Sequence, residues 1–419
     1  MQRYISLLMA VLILFGSMPA LTESFDRPAM ELEDALGRIP RIEVYANSLT
    51  NWVDKKDERE ATMTYTDPVT GDSFTEIITL RPQGTSSLSY VKKNFTIVFQ
   101  TGEVEVNPDW GYQSEYCLKA NYIDPTQACN VVSARLAGQI YRDYGLHEDA
   151  PNNGAVDGFP VWLVFNGIPE GLYTMNIPKA AWTFGMDENN EDHIVMCCEG
   201  ITDGCMFRQD YYDLDEEEWS LEVGGNTTKT IARFQRLVEF IANASDEEFV
   251  ENFDQYLNLD ACLIYYCFIC IANAQDNIGK NMLMATWDGE VWHPILYDLD
   301  SLWGINWDGS AAWKDSAVAY VVNADNRLYQ RLRENFAEEL NGCYANLRNG
   351  VLSVENIWKE FEAFAESIPD EMLAWDNAYY HASGTRIRSY ELMDTLIQQY
   401  LPEVDAEFGY VTEESYSRP

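Results

Sequence analysis

One segment of the chain combines an acid and an amide at a spacing that suits chemistry on a phosphoryl group. Asp276 and Asn281 are five positions apart, and Asn277 and Gly279 lie between them, so the sequence predicts a loop. Residues 259–272, just before this loop, are apolar on nearly every face. That pattern predicts a buried helix, which would give the loop a rigid support.

A pair of acids follows the loop. Residues 281–287 and 290–297 flank Asp288-Gly289, a dipeptide typical of two-residue hairpin turns, and the second strand leads into Asp298 and Asp300. Protein kinases use the same order to place a hydroxyl-deprotonating Asp, a metal-binding Asn and a second metal-binding Asp around one phosphoryl group. The order therefore predicts phosphoryl transfer. The alternative is that these are ordinary loop residues, since the chain contains 68 Asp and Glu residues.

Small residues and lysines upstream could form a phosphate-binding loop. Residues 76–80 predict a strand that enters this loop, and residues 94–99 alternate in a way that predicts a second strand. Glycine and serine let backbone N–H groups approach a phosphate, and a lysine at a strand edge supplies a point charge. The alternative is a plain hairpin whose edge lysines oppose aggregation. The candidate nucleotide-binding residues are Arg81, Gly84, Ser86, Ser87, Lys92 and Lys93.

Together these segments resemble the spore-coat protein H (CotH) kinase family, secreted proteins with an atypical protein-kinase-like fold. The family patterns Arg-x-Arg-Gly-x-Ser-Ser, followed by Lys-Lys-x-aromatic, and Leu-x-Ala-Asn-Tyr-x-Asp-x-Thr are similar to residues 81–95 and 118–126. The patterns Asn-Gly-x-x-x-Gly-x-Tyr, Asp-Asn-x-x-x-Asn and Trp-Asp-x-Asp are similar to residues 166–173, 276–281 and 297–300. The resemblance extends over residues 40–405.

The resemblance implies an α+β, atypical protein-kinase-like, two-lobed fold with a strand-rich N-terminal part and a mainly helical C-terminal part. It implies ATP and Mg²⁺ (or Mn²⁺) as cofactors, and Ser or Thr hydroxyls of surface or extracellular proteins as acceptors. The implied roles are Asp276 as catalytic base, Asn281 and Asp298 as metal ligands with Asp300 as a helper, Lys92 or Lys93 on the nucleotide phosphates, and Gly84, Ser86 and Ser87 lining the loop above them.

Four positions depart from the family pattern. Gln83 and Cys129 stand where relatives have Arg, Tyr297 replaces Trp, and Asn176 falls near a position where relatives often carry Glu. No glutamate in the sequence identifies itself as the partner of the phosphate-binding lysine. Two hypotheses follow: an exported kinase, or a non-catalytic surface adhesin or scaffold that keeps a kinase-like fold. The acid and amide set favours the kinase, whereas Gln83 and Asn176 favour the adhesin or scaffold.

The first residues predict export. Arg3 precedes an apolar run at residues 5–15 that is too short to span a bilayer and suits a signal peptide over residues 1–24. Cleavage after Ala20, Thr22 or Ser24 is compatible with the small residues there, and the alternative is an uncleaved anchor. No stable membrane insertion is expected elsewhere. The sequence thus predicts a secreted or cell-surface protein.

The charge of the chain narrows its partners. The formal net charge is -40 at pH 7, which argues against nucleic acid or anionic membranes and favours basic peptides or divalent cations. Only four histidines are present, which leaves few residues for a histidine-based site.

Export permits disulfides among the nine cysteines, and compatible pairs are Cys117 with Cys129, and Cys197 or Cys198 with Cys205.

The chain divides by pattern into a polar lead (25–40), a strand-rich part (41–180), a helical part with the catalytic loop (181–405) and a tail (406–419). Within the strand-rich part, residues 131–144 predict one helix. The acidic residues 185–228 predict a loop-rich insertion. Ser245 begins a capping-box pattern. A nucleotide is expected in a cleft between the two main parts.

Overall fold

The computed structural model of the protein describes residues 34–84, 86–215, 217–312, 318–381 and 388–419. The predicted signal peptide and most of the predicted polar lead therefore lie outside the described residues. The strands are β1 (Arg41–Tyr45), β2 (Arg59–Thr66), β3 (Ser73–Gln83), β4 (Asn94–Phe99), β5 (Val104–Glu105), β6 (Tyr112–Gln113), β7 (Glu115–Lys119), β8 (Gly158–Phe165), β9 (Ile168–Asn176), β10 (Ile194–Cys198), β11 (Trp219–Val223), β12 (Met282–Thr286) and β13 (His293–Leu296).

Seven of these strands form a closed barrel in the order β1-β2-β3-β4-β7-β9-β8. The barrel closes through the parallel pair β1 and β8, in which Arg41 lies opposite Trp162, while the other pairs are antiparallel. Side chains alternate along each strand, so that Phe95, Ile97 and Phe99 of β4 enter the barrel interior. The opposite, outward face of β4 and β7 is left to contact the rest of the protein.

The helices are α1 (Cys129–Asp143), α2 (Thr228–Asn243), α3 (Asp246–Asn252), α4 (Leu259–Ala272), α5 (Arg327–Asn335), α6 (Ala337–Asn349), α7 (Val354–Glu366), α8 (Asp370–Tyr380) and α9 (Tyr390–Glu407). Helix α4 has the bounds that its sequence predicts, and it is buried on all sides. Helix α1 lies close to its predicted range, and the capping box at Ser245 is confirmed. The strand-rich N-terminal part and helical C-terminal part confirm a mixed α+β fold.

A second, four-stranded sheet has the order β11-β10-β12-β13. Two of its strands come from residues 185–228. This segment is otherwise mainly loop, as predicted, but it is not an insertion, because apolar side chains of Ile194–Cys198 and Trp219–Val223 are drawn into the core beside β12. The hairpin β12–β13 is confirmed. Its connection is longer than the predicted two residues, because residues 287–292 form a loop around the Asp288 carboxylate, which accepts the N–H groups of Glu290 and Val291.

Two further predictions concern the whole molecule. All nine cysteines are buried free thiols, so none of the disulfide pairs that the sequence allows is formed. Across the described ranges, no helix is long and apolar enough to cross a membrane.

Candidate active site

A cavity of about 690 Å³ lies where the outward face of the barrel meets the second sheet. Residues of β3, β4 and β7 line one side, and residues of β10, β11 and the segments around β12 and β13 line the other. This volume falls within the range of pockets that hold small molecules and cofactors, about 300–1,000 Å³. The cavity is therefore large enough for a nucleotide.

Buried hydrogen bonds fix the loop that carries Asp276 and Asn281. The Tyr265 hydroxyl of α4 donates to the backbone oxygen of Asn277 at 2.9 Å, and the Asn277 amide donates to the Tyr297 oxygen at 2.9 Å. The backbone N–H of Asn281 donates to the Cys198 oxygen at 2.8 Å, which ties the loop to β10. The buried helix thus supports the loop, and Asn277 joins the loop to the segment that carries the two acids.

Asn281, Asp298 and Asp300 all line the cavity. The first two adopt left-handed backbone conformations (φ +65° and +51°), which Asn and Asp accept more readily than most residues. The acid segment is held from two directions. The Leu299 N–H donates to the Asn130 side chain of α1 at 3.0 Å, and the buried Arg388 guanidinium donates to the Asp300 backbone oxygen at 2.9 Å.

The acids Asp276, Asp298 and Asp300 lie close enough together for their charges to interact. Burial raises the pKa of Asp300 to about 7, and the charges of Asp298 and Asp276 contribute to the rise. Burial also raises the pKa of Asp276, where the Lys280 ammonium opposes the rise and Asp298 adds to it. Asp276 is not among the described residues that line the cavity. It is half-buried, and the charges of Lys280 and Asp298 act on it.

The donor set fits a hard divalent cation. Asn281 offers an amide oxygen, and Asp298 and Asp300 offer carboxylates, which are the ligands that Mg²⁺ and Mn²⁺ prefer. Burial raises the pKa of Asp300 and the negative charge of Asp298 adds to the rise, because like charges repel; a divalent cation would relieve that repulsion. These residues therefore suit the metal ion that the sequence predicts.

The small-residue loop above the cavity is formed as the sequence predicts. Gly84, Ser86 and Ser87 line the cavity. Gly84 has φ +102°, and a Cβ atom there would lie 1.9 Å from the Ser87 hydroxyl oxygen, so the loop requires glycine at this position. Arg81, by contrast, is not among the described lining residues, and its guanidinium lies 3.7 Å from both Glu58 and Glu115.

The two predicted phosphate-binding lysines have other partners. Lys92 lines the cavity with part of its side chain, but its ammonium is fully buried and donates to both Asp376 oxygens, at 2.8 and 2.9 Å. The Lys93 ammonium donates to the backbone oxygens of Leu88 and Tyr90, so it holds the loop together. A contact between either lysine and a phosphate stays a prediction, and the full burial of the Lys92 ammonium argues against it for that residue.

The structure brings Lys119 and Lys179 to the cavity instead. The Lys119 ammonium lies 4.0 Å from Asp298, whereas the Lys179 ammonium donates to Glu222 at 2.8 Å and lies 3.7 Å from Glu199. Sequence reasoning missed both lysines. Lys119 had a usable signal, because it follows the core residue Leu118 on β7 and alternation must therefore turn it outward. Lys179 lies three residues beyond β9, where no periodicity applies.

Cys197, Glu199 and Glu222 have ligand atoms within 4.8 Å of one another, a spacing that could suit a metal ion. However, the Lys179 ammonium lies 3.4 Å from the Cys197 sulfur and between the two carboxylates. The cluster thus already contains its cation. It also provides the lysine and glutamate pair that the sequence did not identify.

The four residues that depart from the family pattern differ in whether they line the cavity or are buried away from it. Gln83 and Tyr297 line the cavity, and the Lys179 ammonium lies 5.2 Å from the centre of the Tyr297 ring. Asn176 is fully buried on β9, and its amide has no hydrogen-bond partner among the described residues. Cys129 is buried at the start of α1, beside the Arg388 guanidinium. Two of the four substitutions can therefore affect a ligand directly.

Comparison with known proteins agrees with the order of the motifs. A family model described as CotH kinase protein matches residues 80–401, which is most of the chain and includes the loop, the acid segment, Lys119 and Lys179. No match was found among curated proteins. The chain belongs to the CotH kinase family.

Proposed function

We propose that this protein is an exported kinase that transfers the γ-phosphoryl group of ATP to Ser or Thr hydroxyls of surface or extracellular proteins. The observation that carries the proposal is the composition of one cavity. Asn281, Asp298 and Asp300, which offer oxygen ligands, line this cavity together with Lys179 and with Lys119, whose ammonium lies 4.0 Å from Asp298. A polyphosphate with a divalent cation needs both kinds of partner.

Each side chain has a distinct role in this proposal. Asp276 accepts the proton of the acceptor hydroxyl and orients its oxygen for in-line attack. Its raised pKa, caused first by burial, brings its basicity closer to that needed for proton transfer near neutral pH. Asn281, Asp298 and Asp300 would hold Mg²⁺ or Mn²⁺, which would supply positive charge to offset that of the phosphates. Lys119 and Lys179 neutralise the remaining phosphate charge.

The loop at Gly84 to Ser87 closes over the nucleotide in this proposal. Its backbone N–H groups can approach the phosphates because Gly84 carries no side chain and the serines are small. The barrel and the helical part would correspond to the two lobes of a kinase, with the cavity as the cleft between them. Export depends on the signal peptide predicted over residues 1–24.

Phosphate incorporation tests the proposal. The purified protein is incubated with ATP and Mg²⁺ or Mn²⁺, alone or with hydroxyl-bearing basic peptides, and the gain of one phosphoryl group is followed by intact mass. Asp276→Asn should lower transfer at least about 100-fold while leaving nucleotide affinity nearly unchanged, because the base acts on the acceptor. Asp254→Asn, an exposed acid outside the cavity, is the matched control and should keep full activity.

Two results would contradict the proposal. Full activity of Asp276→Asn would remove the assigned base. Failure of the unmodified protein to bind nucleotide or to transfer phosphate with either metal would support the adhesin or scaffold hypothesis instead.

A further inference from the structure

Lys119 is the counter-ion of one predicted metal ligand. It lies at the end of β7 with 12% of its side chain exposed, and its ammonium is 4.0 Å from a carboxylate oxygen of Asp298. Tyr297 and Asp300 are also within electrostatic reach of it. At 4.0 Å the pair is an ion pair without a direct hydrogen bond, so the ammonium can move a short distance without losing a fixed partner.

Charge makes Lys119 and a metal ion competitors for Asp298. Two cations that share one carboxylate repel each other strongly inside a cavity, where the effective dielectric constant is on the order of 20 rather than the ~80 of water. A nucleotide changes this balance because its phosphates are anionic. With phosphates in the cavity, the Lys119 ammonium can pair with them and leave the Asp298 carboxylate to the metal ion.

We propose that Lys119 makes metal binding at Asp298 depend on the nucleotide. Lys119 holds Asp298 as its counter-ion, opposes a metal ion that arrives alone, and turns to the phosphates when metal and nucleotide arrive together. This inference rests on the proposed function only in that Asn281, Asp298 and Asp300 hold the metal ion and the phosphates enter the same cavity. It goes further by assigning one residue to the coupling between the two ligands.

Lys179 provides the contrast within the same cavity. Its ammonium is already paired at 2.8 Å with Glu222 and lies close to Glu199 and Cys197. None of these partners is a predicted metal ligand of the acid segment. Removal of Lys179 would leave the cluster of Cys197, Glu199 and Glu222 without its cation, so Mn²⁺ bound by a Lys179 variant could not be assigned to Asp298.

Manganese affinity measured by electron paramagnetic resonance tests the proposal. The purified protein is titrated with Mn²⁺ alone and with Mn²⁺ plus a non-hydrolysable ATP analogue. Lys119→Met should bind Mn²⁺ alone on the order of tenfold more tightly than the unmodified protein, and the analogue should enhance Mn²⁺ binding less. Lys119→Arg should restore both values because it keeps the charge. Lys119→Gln is a second neutral variant if Lys119→Met folds poorly, and Lys359→Met, at an exposed lysine outside the cavity lining, is the control.

The outcomes separate the two proposals. If Lys119→Met and Lys119→Gln bind Mn²⁺ alone no more tightly than the unmodified protein, the role of Lys119 is wrong while the kinase stands. If the tightening occurs but no variant or parent transfers phosphate, the role of Lys119 holds and the kinase is wrong. If the unmodified protein binds no Mn²⁺ even with the analogue, both proposals are wrong.

Discussion

The buried ion pair between Lys92 and Asp376 should stabilise the fold without contributing to nucleotide binding. Both side chains are fully buried, and the Asp376 carboxylate also accepts the Leu172 N–H at 2.9 Å. Burial lowers the pKa of Lys92 and raises the pKa of Asp376, so each charge depends on its partner. The pair joins the start of β4 to helix α8, and through it the barrel to the helical part.

The size of the effect follows from this burial. Removing one member of a buried ion pair leaves an unpaired charge in the interior and costs about 3–5 kcal/mol of unfolding free energy. We therefore expect Asp376→Leu and Lys92→Met each to destabilise the protein by about that amount. The double variant should lose less than the sum and less than either single variant, because no unpaired charge remains. The N–H of Leu172 would still lose its acceptor, which costs about 1–3 kcal/mol.

Two measurements check this reasoning. Guanidinium denaturation of the parent, both single variants and the double variant gives the coupling between the two side chains. Nucleotide affinity of the folded double variant should stay within about threefold of the parent. Additive losses in the denaturation series would refute the buried-charge argument. A large loss of nucleotide affinity in the folded double variant would restore the sequence-based prediction that Lys92 contacts phosphate.

Two further predictions concern the acids and the histidines. Asp298→Asn should weaken Mg²⁺-dependent nucleotide binding about 100-fold and Asp300→Asn should weaken it less, because Asp298 carries the accessible carboxylate beside Lys119. Titration of each variant with Mg²⁺ at a fixed nucleotide concentration measures this effect. A larger loss in Asp300→Asn would show that the principal metal ligand is misassigned. Burial lowers the pKa of His147 to about 3 and of His293 to about 4, so the folded state favours neutral rings. The free energy of unfolding should therefore fall as the pH drops below about 6.5, by up to about 2 kcal/mol per histidine at about pH 5. The measurement compares the free energy of unfolding of the parent and of a His147→Gln variant at about pH 7 and about pH 5. An equal loss in the two proteins would contradict the prediction.

Local patterns were sufficient for the elements beneath the site. The apolar run at residues 259–272 predicts a helix with the observed bounds. Because this helix is buried on all sides, its apolar residues are continuous, and the ends of the run coincide with the ends of the helix. The loop after it and the hairpin β12–β13 follow from glycine, asparagine and β-branched spacing. The closed barrel could not be predicted, because closure depends on the long-range parallel contact between β1 and β8, which no local spacing records.

The strands within the loop-rich residues 185–228 and the longer connection of β12 and β13 have one physical origin. Acidic and glycine-rich composition is typical of loops, yet Trp219–Val223 has enough apolar side chains to pair with β10 and enter the core. Asp288-Gly289 favours a two-residue turn, yet the Asp288 carboxylate organises a longer loop through its own hydrogen bonds. In both places tertiary or side-chain contacts outweighed local preference.

Sequence order does not show which lysines of this chain face the cavity. The sequence indicates Lys92 and Lys93 as phosphate-binding residues because they follow a small-residue loop. However, the side chain of a lysine at the start of a strand can point in several directions. The direction is set by what else is buried nearby, and Asp376, which is remote in sequence, binds Lys92. Lys119 reaches the cavity because strict alternation on β7 places it opposite Leu118, which the barrel core holds. A charged residue that alternates with core residues, on a strand whose other face is also covered, is therefore a stronger candidate for a buried ligand contact than a lysine pair at a strand edge.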